Sequence, residues 1–357
     1  MENKSLKKKK ILIIYPQLDV PYSGGQVIDF SFIQQIVNSD KFVCNYLLDS
    51  TISSASILGY VYYTLCHFKK IINTELIFSN SRMYPRLLPC FLLIKLLCRN
   101  VKILVYHHHF NYFTQTGIRK WIHKFFELLF LKIVDVIIIP SPYVRSEMER
   151  LMPKANVRYI EIGFNLKPCL NVNKNKQNNL LVVGTIERRK RVHQIVSIAK
   201  MLRDSNIDFH INVVGKVADS SYFNMIVKVI EEENLSSYIT FHGRVSTENL
   251  EKSYRNADIF LFLSSHEGYG MVLIEAMSYS LPIVAYRNSA IPFSVNDGVN
   301  GLLVEDANVI AYCQKVKSIL IDDRLWNKLR EGAFYYSLKV NTLGRMKEEM
   351  QSYIDEL

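Results

Sequence analysis

The residues of this chain that could do chemistry are concentrated between Ala257 and Ala276, in the sequence ADIFLFLSSHEGYGMVLIEA. The apolar run Ile259–Leu263 predicts a buried strand, and the mixed apolar spacing that starts at Met271 predicts a helix after a glycine-containing turn. A parallel strand that ends at a helix N-terminus offers free backbone N–H groups and partial positive charge. The sequence therefore predicts a phosphate site at this turn.

Two glycines and two glutamates indicate what else the turn could bind. Gly268 and Gly270 allow a ligand to approach the main chain closely. Glu267 and Glu275 have seven residues between them, and carboxylates do not complement phosphate, so we expect them to bind hydroxyl groups. Phosphate together with several hydroxyl groups describes a nucleotide sugar.

A second strand, turn and helix pattern, LLVVGTIERRKRVHQIVSIAKML, covers Leu180–Leu202 and carries a cation. Lys190 follows Gly184 closely, in the turn after the predicted strand. A cation at this position could neutralise a pyrophosphate as it leaves a sugar carbon.

Three histidines, His107, His108 and His109, follow the predicted strand Val101–Tyr106. Three successive side chains at a strand end cannot all face inward, and a metal site would need different spacing and further ligands. No D-x-D element follows a predicted strand either. We therefore expect no obligatory metal and no other cofactor.

These motifs, in this order along the chain, resemble those of the retaining glycosyltransferases of family four, the group 1 transferases. The run EGYGMVLIEA resembles their E-x7-E motif, and the segment Gly184–Arg191 resembles their pattern of V-G-R followed closely by K-G, in which Gly184 and Lys190 match. The chain departs from that pattern at Thr185, where the family usually has arginine, and at Arg191, where it usually has glycine. Either Arg188 or Arg189 could substitute for the missing arginine.

The resemblance also implies roles for single residues. It implies that Glu275 binds the ribose hydroxyls and that Glu267 binds a hydroxyl of the transferred sugar. It also implies that Lys190, together with an arginine, binds the pyrophosphate. It implies that a histidine at the strand end, His108 first and His107 second, hydrogen-bonds the sugar or stabilises developing positive charge. The remaining donor contacts that it implies are Gly24 and Gly25 at the first helix start, Gly184, the backbone beside Arg244 and Val245, and the turn residues Gly268, Gly270, Met271 and Val272.

Strand and helix signals alternate along both halves of the chain, which predicts doubly wound α/β domains. We expect a first domain at 1–165, an Asn- and Lys-rich linker at 166–178 and a second domain at 179–339, with a helix at about 340–357 returning to the first domain. By resemblance this is the GT-B fold, in which two Rossmann-like domains face each other across a cleft. The first domain would bind the acceptor and the second the nucleotide sugar.

The net charge of +11 is concentrated in the first half of the chain. Residues 1–165 carry 21 Lys and Arg against 11 Asp and Glu, whereas the remainder carries 23 against 22. No nucleic-acid motif accompanies this charge, so we favour an anionic membrane surface or an anionic lipid-linked substrate. Within residues 55–134, the basic amphipathic helix predicted at Ile118–Ile133 could lie on a membrane or bury one face in its own domain.

Other sequence features bear on location. No apolar run reaches ~18 residues, the length needed to span a bilayer, and the apolar stretch after Lys7–Lys10 is too short for a signal peptide. Six scattered cysteines without metal-ligand spacing indicate reduced thiols. We therefore expect a cytoplasmic protein, with peripheral contact to the inner face of the plasma membrane.

The function that these observations favour is that of a retaining glycosyltransferase, which moves a sugar from a nucleoside-diphosphate sugar to a lipid-linked or glycan acceptor. Two alternatives stay open. A sugar-nucleotide epimerase or a phosphorylase could use the same architecture, and a catalytically silent partner of a glycan assembly complex could retain only sugar-nucleotide binding.

Overall fold

The computed structural model describes residues 8–15, 24–46, 56–170 and 174–357. The chain divides into two compact units. Unit 1 comprises residues 1–164 and 341–357, and unit 2 comprises residues 165–340. Residues 171–173, part of the predicted linker, lie outside the described residues.

Unit 1 is built on a six-stranded parallel sheet with the order β2-β1-β3-β4-β5-β6. Its strands are β1 (Lys9–Ile14), β2 (Phe42–Tyr46), β3 (Leu76–Asn80), β4 (Lys102–Tyr106), β5 (Val136–Ile139) and β6 (Val157–Tyr159). The helices that connect them are α1 (Gly24–Asn38), α2 (Ile57–Cys66), α3 (Phe68–Ile72), α4 (Tyr84–Leu97), α5 (Gly117–Ile133) and α6 (Pro142–Leu151). Helix α4 packs against both α2 and α5.

Unit 2 repeats this architecture with the strand order β12-β11-β10-β7-β8-β9, again all parallel. Its strands are β7 (Asn179–Val183), β8 (His210–Val214), β9 (Ile239–Gly243), β10 (Ile259–Phe262), β11 (Ile283–Arg287) and β12 (Gly301–Glu305). Its helices are α7 (Ile195–Asp204), α8 (Ser220–Glu232), α9 (Thr247–Asn256), α10 (Met271–Ser278), α11 (Ile291–Ser294), α12 (Val309–Ile321) and α13 (Asp323–Ser337). The predicted α/β class with two parallel sheets is confirmed.

The last helix, α14 (Leu343–Glu356), belongs to unit 1 and packs against α1. Its apolar face buries Met346, Met350, Tyr353 and Ile354. The chain segment that leads into unit 2 and the segment that returns from it meet within unit 1, at Gly163 and Thr342. A Cβ on Gly163 would lie 2.2 Å from the Thr342 carbonyl oxygen, so this close approach requires glycine.

The sheets are apolar on both faces because helices cover both sides, as is usual for parallel strands. All four residues of β10 and all five of β3 are buried. Helices begin at polar caps of the expected kind. The Asp219 and Asn308 side chains each accept a hydrogen bond from a backbone N–H at the start of α8 and α12, and Asp322 caps α13.

The sequence DGVNGLLVED at Asp297–Asp306 predicts a hairpin-like turn before a strand, and the structure agrees with this only in part. A strand does follow the turn, but β12 pairs with β11 in parallel, so the two do not form a hairpin. The Asp297 carboxylate shapes the turn by accepting a hydrogen bond from the Leu303 N–H at 2.9 Å. A sequence pattern alone does not distinguish this polar turn from a true hairpin.

Both sheets contain a point at which the strand order reverses. In unit 2 it lies between β7 and β10, and in unit 1 between β1 and β3. Loops that leave two neighbouring strands in opposite directions open a crevice at the carboxyl ends of the strands, where open α/β sheets bind ligands.

Candidate functional site

Two loops of unit 2 meet at the reversal of its sheet. One follows β7 and contains residues 184–191; the other follows β10 and contains residues 263–270. The Ser265 backbone N–H and hydroxyl both donate to the carbonyl oxygen of Arg189, at 2.9 and 3.0 Å. The two predicted site segments are therefore joined by direct hydrogen bonds.

The Glu267 carboxylate is the centre of this junction. Its Oε1 accepts from Lys190 Nζ at 2.5 Å, from Ser264 Oγ at 2.6 Å and from the Arg189 guanidinium at 2.8 Å. Within the described part of the chain, all three side-chain donors converge on this one oxygen.

Electrostatics keep Glu267 ionised. Burial alone would raise the pKa of its carboxyl group, but the charges of Lys190 and Arg189, with hydrogen bonds from Lys190 and Ser264, lower the pKa to about 2. A buried carboxylate with two cationic partners is a stable counterion for both of them. The cations are held in place before any ligand arrives.

The two arginines that could replace the arginine missing at Thr185 have different surroundings. Arg189 is 31% exposed and bonds to Glu267, to the carbonyl oxygen of His266 and to Glu187. Arg188 is 72% exposed and pairs at 3.4 Å with Asp219, over the ring of Tyr222. Only Arg189 of this pair shares a partner with Lys190.

Helix α10 begins at the end of the second loop. Gly270 precedes its first residue with φ +86° and ψ +49°, a left-handed conformation that favours glycine. A Cβ there would also lie 2.9 Å from a methyl group of Leu273. The N–H groups of Met271 and Val272 belong to the first helical turn, where no intrahelical carbonyl can accept them. Gly268 lies in the bend just before.

Glu275 lies on α10, one turn beyond these amides. Its Oε2 accepts a hydrogen bond from the Tyr254 hydroxyl at 2.9 Å, and the Tyr254 ring stacks on Tyr279 with 5.3 Å between the centroids. Burial raises the pKa of Glu275, and the Tyr254 bond opposes that effect. The tyrosine thus holds one carboxylate oxygen and orients the other.

The remaining predicted positions of unit 2 lie at the carboxyl ends of neighbouring strands. Gly184 directly follows β7, and a Cβ on Gly215, after β8, would lie 1.8 Å from the Gly184 carbonyl oxygen. These two main chains come closer than any residue with a Cβ permits. Arg244, which is exposed, and Val245 follow β9, so they lie at the same sheet edge but two strands away from β7.

Unit 1 carries a second buried polar group, centred on Asp29 of α1. Its Oδ1 lies 2.8 Å from His108 Nε2, and its Oδ2 accepts from the Tyr15 hydroxyl at 3.0 Å and from Asn80 Nδ2 at 2.5 Å. Asp29 is buried and His108 is largely so. Gly25 lies beside the imidazole, because a Cβ there would be 3.7 Å from the ring.

The three histidines occupy different environments. His107 is completely buried, and its Nδ1 lies 2.7 Å from the Ser81 hydroxyl. Burial lowers the pKa of His107 to about 3, with the neighbouring His109 and His108 adding to the effect. This burial keeps His107 from a ligand, whereas His108 and His109 remain partly exposed. Gly24 is the first residue of α1, and the loop before it, residues 16–23, lies outside the described residues.

Sequence reasoning missed several members of these groups, among them Asp29, Tyr254 and Ser264. The sequence does contain a signal for Asp29, which lies on the same side of its helix as the buried Phe32, Ile33 and Ile36. A carboxylate on a buried helix face needs a polar partner. The roles of the tyrosine and the serine depend on contacts between distant segments, which no spacing rule reveals.

No cluster of three or more His, Cys, Asp or Glu side chains that could hold a metal ion occurs within residues 8–15, 24–46, 56–170 and 174–357. The six cysteines are free thiols.

Comparison with known proteins places these geometries in context. Residues 170–334 match the sequence profile of the family "Glycosyl transferases group 1". An uncharacterized 41.2 kDa protein in the cps region of Klebsiella pneumoniae is 26% identical over 296 residues, which cover 78% of this chain and 77% of the relative. A poly(ribitol-phosphate) alpha-N-acetylglucosaminyltransferase of Staphylococcus aureus is 29% identical over 227 residues, 61% of this chain and 43% of that enzyme.

The chain spans about half or less of the length of most other curated relatives that it matches. Among solved structures, Anabaena HepE in complex with UDP-glucose superimposes with a TM-score of 0.74 at 14% identity, over 98% of this chain and all of that one. This likeness shows the fold, and it confirms the GT-B class for the two parallel α/β units. Residues 170–334 of this chain are therefore similar in sequence to the group 1 glycosyl transferases.

Proposed function

We propose that this protein is a retaining glycosyltransferase that moves a sugar from a nucleoside-diphosphate sugar to a glycan or lipid-linked acceptor. Unit 2 binds the donor in this proposal. The observation that carries it is the convergence of Lys190 and Arg189 on Glu267 at the reversal of the sheet, beside the N-terminus of α10.

The cations and the helix start form the pyrophosphate site. As the glycosidic bond to the donor breaks, negative charge develops on the departing diphosphate. Lys190, Arg189 and the first amides of α10 are fixed donors that stabilise this charge without reorganising. Arg189 takes the place of the arginine missing at Thr185, because it shares Glu267 with Lys190 whereas Arg188 pairs with Asp219.

The two glutamates bind hydroxyl groups. Tyr254 occupies one oxygen of Glu275, and the other accepts from the ribose. Lys190, Arg189 and Ser264 occupy Oε1 of Glu267, and Oε2 accepts from a hydroxyl of the transferred sugar. The pKa of about 2 keeps Glu267 in the acceptor form.

In unit 1, His108 is the histidine assigned to the reaction. We assign it to a hydroxyl of the transferred sugar, with Asp29 holding the imidazole through Nε2. Retention of configuration is part of the proposal by resemblance to the family, and so is a reaction without an obligatory metal. Two relatives support the substrate classes, since one structure holds UDP-glucose and one enzyme is named for transfer to poly(ribitol-phosphate).

The test is a binding and hydrolysis screen of the purified chain against UDP-, GDP-, ADP- and CDP-sugars, with and without EDTA. We expect one donor to bind and to be hydrolysed slowly in EDTA, and we expect Glu275→Ala to lose both. Asp322→Ala is the matched control, because that carboxylate caps α13 and belongs to neither of the two site loops. Loss of hydrolysis in EDTA would contradict the metal-free reaction.

The screen also separates the rival functions. Binding of a donor without turnover, even when acceptors are supplied, would favour a silent sugar-nucleotide-binding partner. Conversion of the donor to an isomeric nucleotide sugar without acceptor would favour an epimerase. Failure of every donor to bind would refute the donor site itself.

A further inference from the structure

Helix α5 turns an apolar stripe toward solvent. Ile118, Trp121 and Phe125 are 77%, 69% and 64% exposed, and Ile122 and Phe126 are exposed between them. Their spacing of three and four residues places them on one side of the helix. Phe130 and Leu131 are buried in the core of unit 1 instead, so the stripe is not the face that packs in the core.

The neighbouring helices extend this apolar surface. On α2 and α4, seven further large apolar side chains are exposed: Ile57, Leu58, Tyr62, Leu65, Leu92, Leu96 and Leu97. Half of the large apolar side chains that are exposed in the described part of the chain therefore lie on three helices that pack side by side. Scattered exposed apolar residues are ordinary, but a concentration of this kind marks an interaction surface.

The charge of the same region has one sign. Residues 56–133 contain 11 Lys and Arg and only two acidic residues, Glu75 and Glu127. Glu127 is buried, where it accepts hydrogen bonds from the backbone of Asn111 and Tyr112. The exposed face of α5 therefore presents Arg119, Lys120 and Lys124 without a neighbouring carboxylate on the helix surface.

Two lysines of α5 lie against aromatic rings, of which Trp121 is exposed and Tyr112 is buried. Lys124 Nζ lies 5.5 Å from the ring centroid of Trp121 and 5.6 Å from that of Tyr112, and Lys120 Nζ lies 6.0 Å from that of Phe113. Tryptophan and basic side chains together prefer the boundary between lipid headgroups and acyl chains. A protein partner that covered this surface would need a large area that is both acidic and apolar. An anionic bilayer has both properties over its whole surface.

We propose that the α2–α4–α5 face of unit 1, defined by the exposed residues above, docks on the surface of an anionic lipid bilayer. Trp121 and Phe125 enter the headgroup boundary, and Lys120 and Lys124 attract anionic headgroups. This is attachment from one side: among the described residues no helix combines the length and the apolar character needed to cross a membrane. The proposal does not depend on the donor site of unit 2.

The two tryptophans of the chain make a direct test possible. Trp326 is buried and its indole N–H donates to the Asp258 carbonyl oxygen, so a change in emission on vesicle binding reports Trp121. We expect emission to shift to shorter wavelength with vesicles of mixed phosphatidylcholine and phosphatidylglycerol. Brominated acyl chains should quench it, and Trp121→Phe should abolish the response.

Matched variants locate the surface. Phe125→Ser should weaken vesicle binding on the order of tenfold, whereas Ile310→Ser, at a 70% exposed position of α12 in unit 2, should not. Lys120→Gln with Lys124→Gln should weaken binding by at least as much, whereas Lys228→Gln with Lys252→Gln, on unit 2 helices, should not. Raising the salt from about 0.1 M to about 1 M should release the unmodified chain.

Several results would overturn the proposal. Equal binding to pure phosphatidylcholine vesicles would remove the role of charge, and an unshifted emission would remove the role of α5. Light scattering that finds a dimer whose Trp121 emission is already shifted without vesicles would assign this face to a second copy of the chain. Because the emission of the unmodified protein is itself decisive, a variant that fails to fold does not block the test.

Discussion

Lys190 Nζ and Glu267 Oε1 are 2.5 Å apart, and each side chain is only about 15% exposed. The pair joins the loop after β7 to the loop after β10. Removing one partner of such a pair leaves the other charge buried without compensation. The two residues should therefore respond to substitution in opposite ways when an anionic ligand is present.

Glu267→Gln should separate binding from turnover. With the carboxylate removed, Lys190 and Arg189 are no longer neutralised by it, so the affinity for a nucleoside diphosphate should rise by about 3- to 10-fold. Turnover should fall, because the acceptor for the sugar hydroxyl is weaker. Calorimetric titration with the diphosphate and a transfer assay measure the two effects. Weaker diphosphate binding would argue against cations held for a phosphate.

Lys190→Ala should lower turnover by ~10²–10³-fold, the usual loss for one donor that stabilises charge in the transition state. The measurement is the rate of donor hydrolysis or transfer with the nucleotide sugar found in the screen. A loss of less than tenfold would remove the proposed role of Lys190.

Arg189→Ala and Arg188→Ala are a matched pair in one turn of the chain. We expect Arg189→Ala to reduce turnover strongly, since its guanidinium holds Glu267 and the His266 carbonyl oxygen. Arg188→Ala removes an exposed pair with Asp219, and such pairs contribute little. Comparison of kcat and KM for both variants decides the assignment, and equal effects would contradict it.

Asp29→Asn should act on turnover without changing nucleotide affinity. The substitution preserves the size of the side chain but weakens its hydrogen bond to His108 Nε2. If the imidazole acts in the reaction, the loss of a hydrogen bond to a charged group should lower kcat by about tenfold or more. Asp40→Asn, at a fully exposed carboxylate of unit 1, is the control. An unchanged kcat for Asp29→Asn would leave this network with a purely structural role.

His107 should make unit 1 less stable in mild acid. Its pKa is about 3 in the folded chain against an ordinary value near 6.5, so the unfolded chain takes up a proton that the folded chain refuses as pH falls from about 6.5 to about 3. The urea midpoint should therefore fall in that window, and less steeply in His107→Gln. Exposed His242→Gln should retain the steep fall.

A second buried group, Glu127, changes the free energy of unfolding with pH in the opposite direction. The effect of His107 must therefore be measured as a difference between the unmodified chain and a variant. Burial raises the pKa of Glu127 to about 7, so its contribution to stability falls as pH rises from about 4.5 to about 7. The difference between the unmodified chain and His107→Gln cancels this effect. Parallel urea curves for the two proteins would contradict the assignment to His107.

Periodicity and turn residues predicted most of the fold. The short apolar run Val136–Ile139 predicts a strand, and β5 has the same bounds, because an apolar run between polar segments is stable only where it is buried. The helix predicted at Ile118–Ile133 begins one residue earlier, at Gly117. The least specific pattern was the turn at Asp297, since parallel pairing of β12 with β11 depends on the whole sheet.

The site was predictable as segments but not as contacts. Spacing brought Glu267 and Lys190 to neighbouring loops because the carboxyl ends of parallel strands share an edge. It did not show that Ser264 and Arg189 bind the same oxygen, nor that Tyr254 reaches Glu275 from α9. The choice between Arg188 and Arg189 also depends on side-chain direction in a short 3₁₀ turn, which residue type does not determine.

The return of α14 to unit 1 has a consequence for the order of assembly during synthesis. Residues 1–164 leave the ribosome without the helix that covers α1, and the whole of residues 165–340 is made before that helix appears. Unit 2 is contiguous and can complete its core while unit 1 still exposes the apolar side of α1. A nascent chain that stalls near residue 340 would therefore carry one finished unit and one that needs protection by a chaperone.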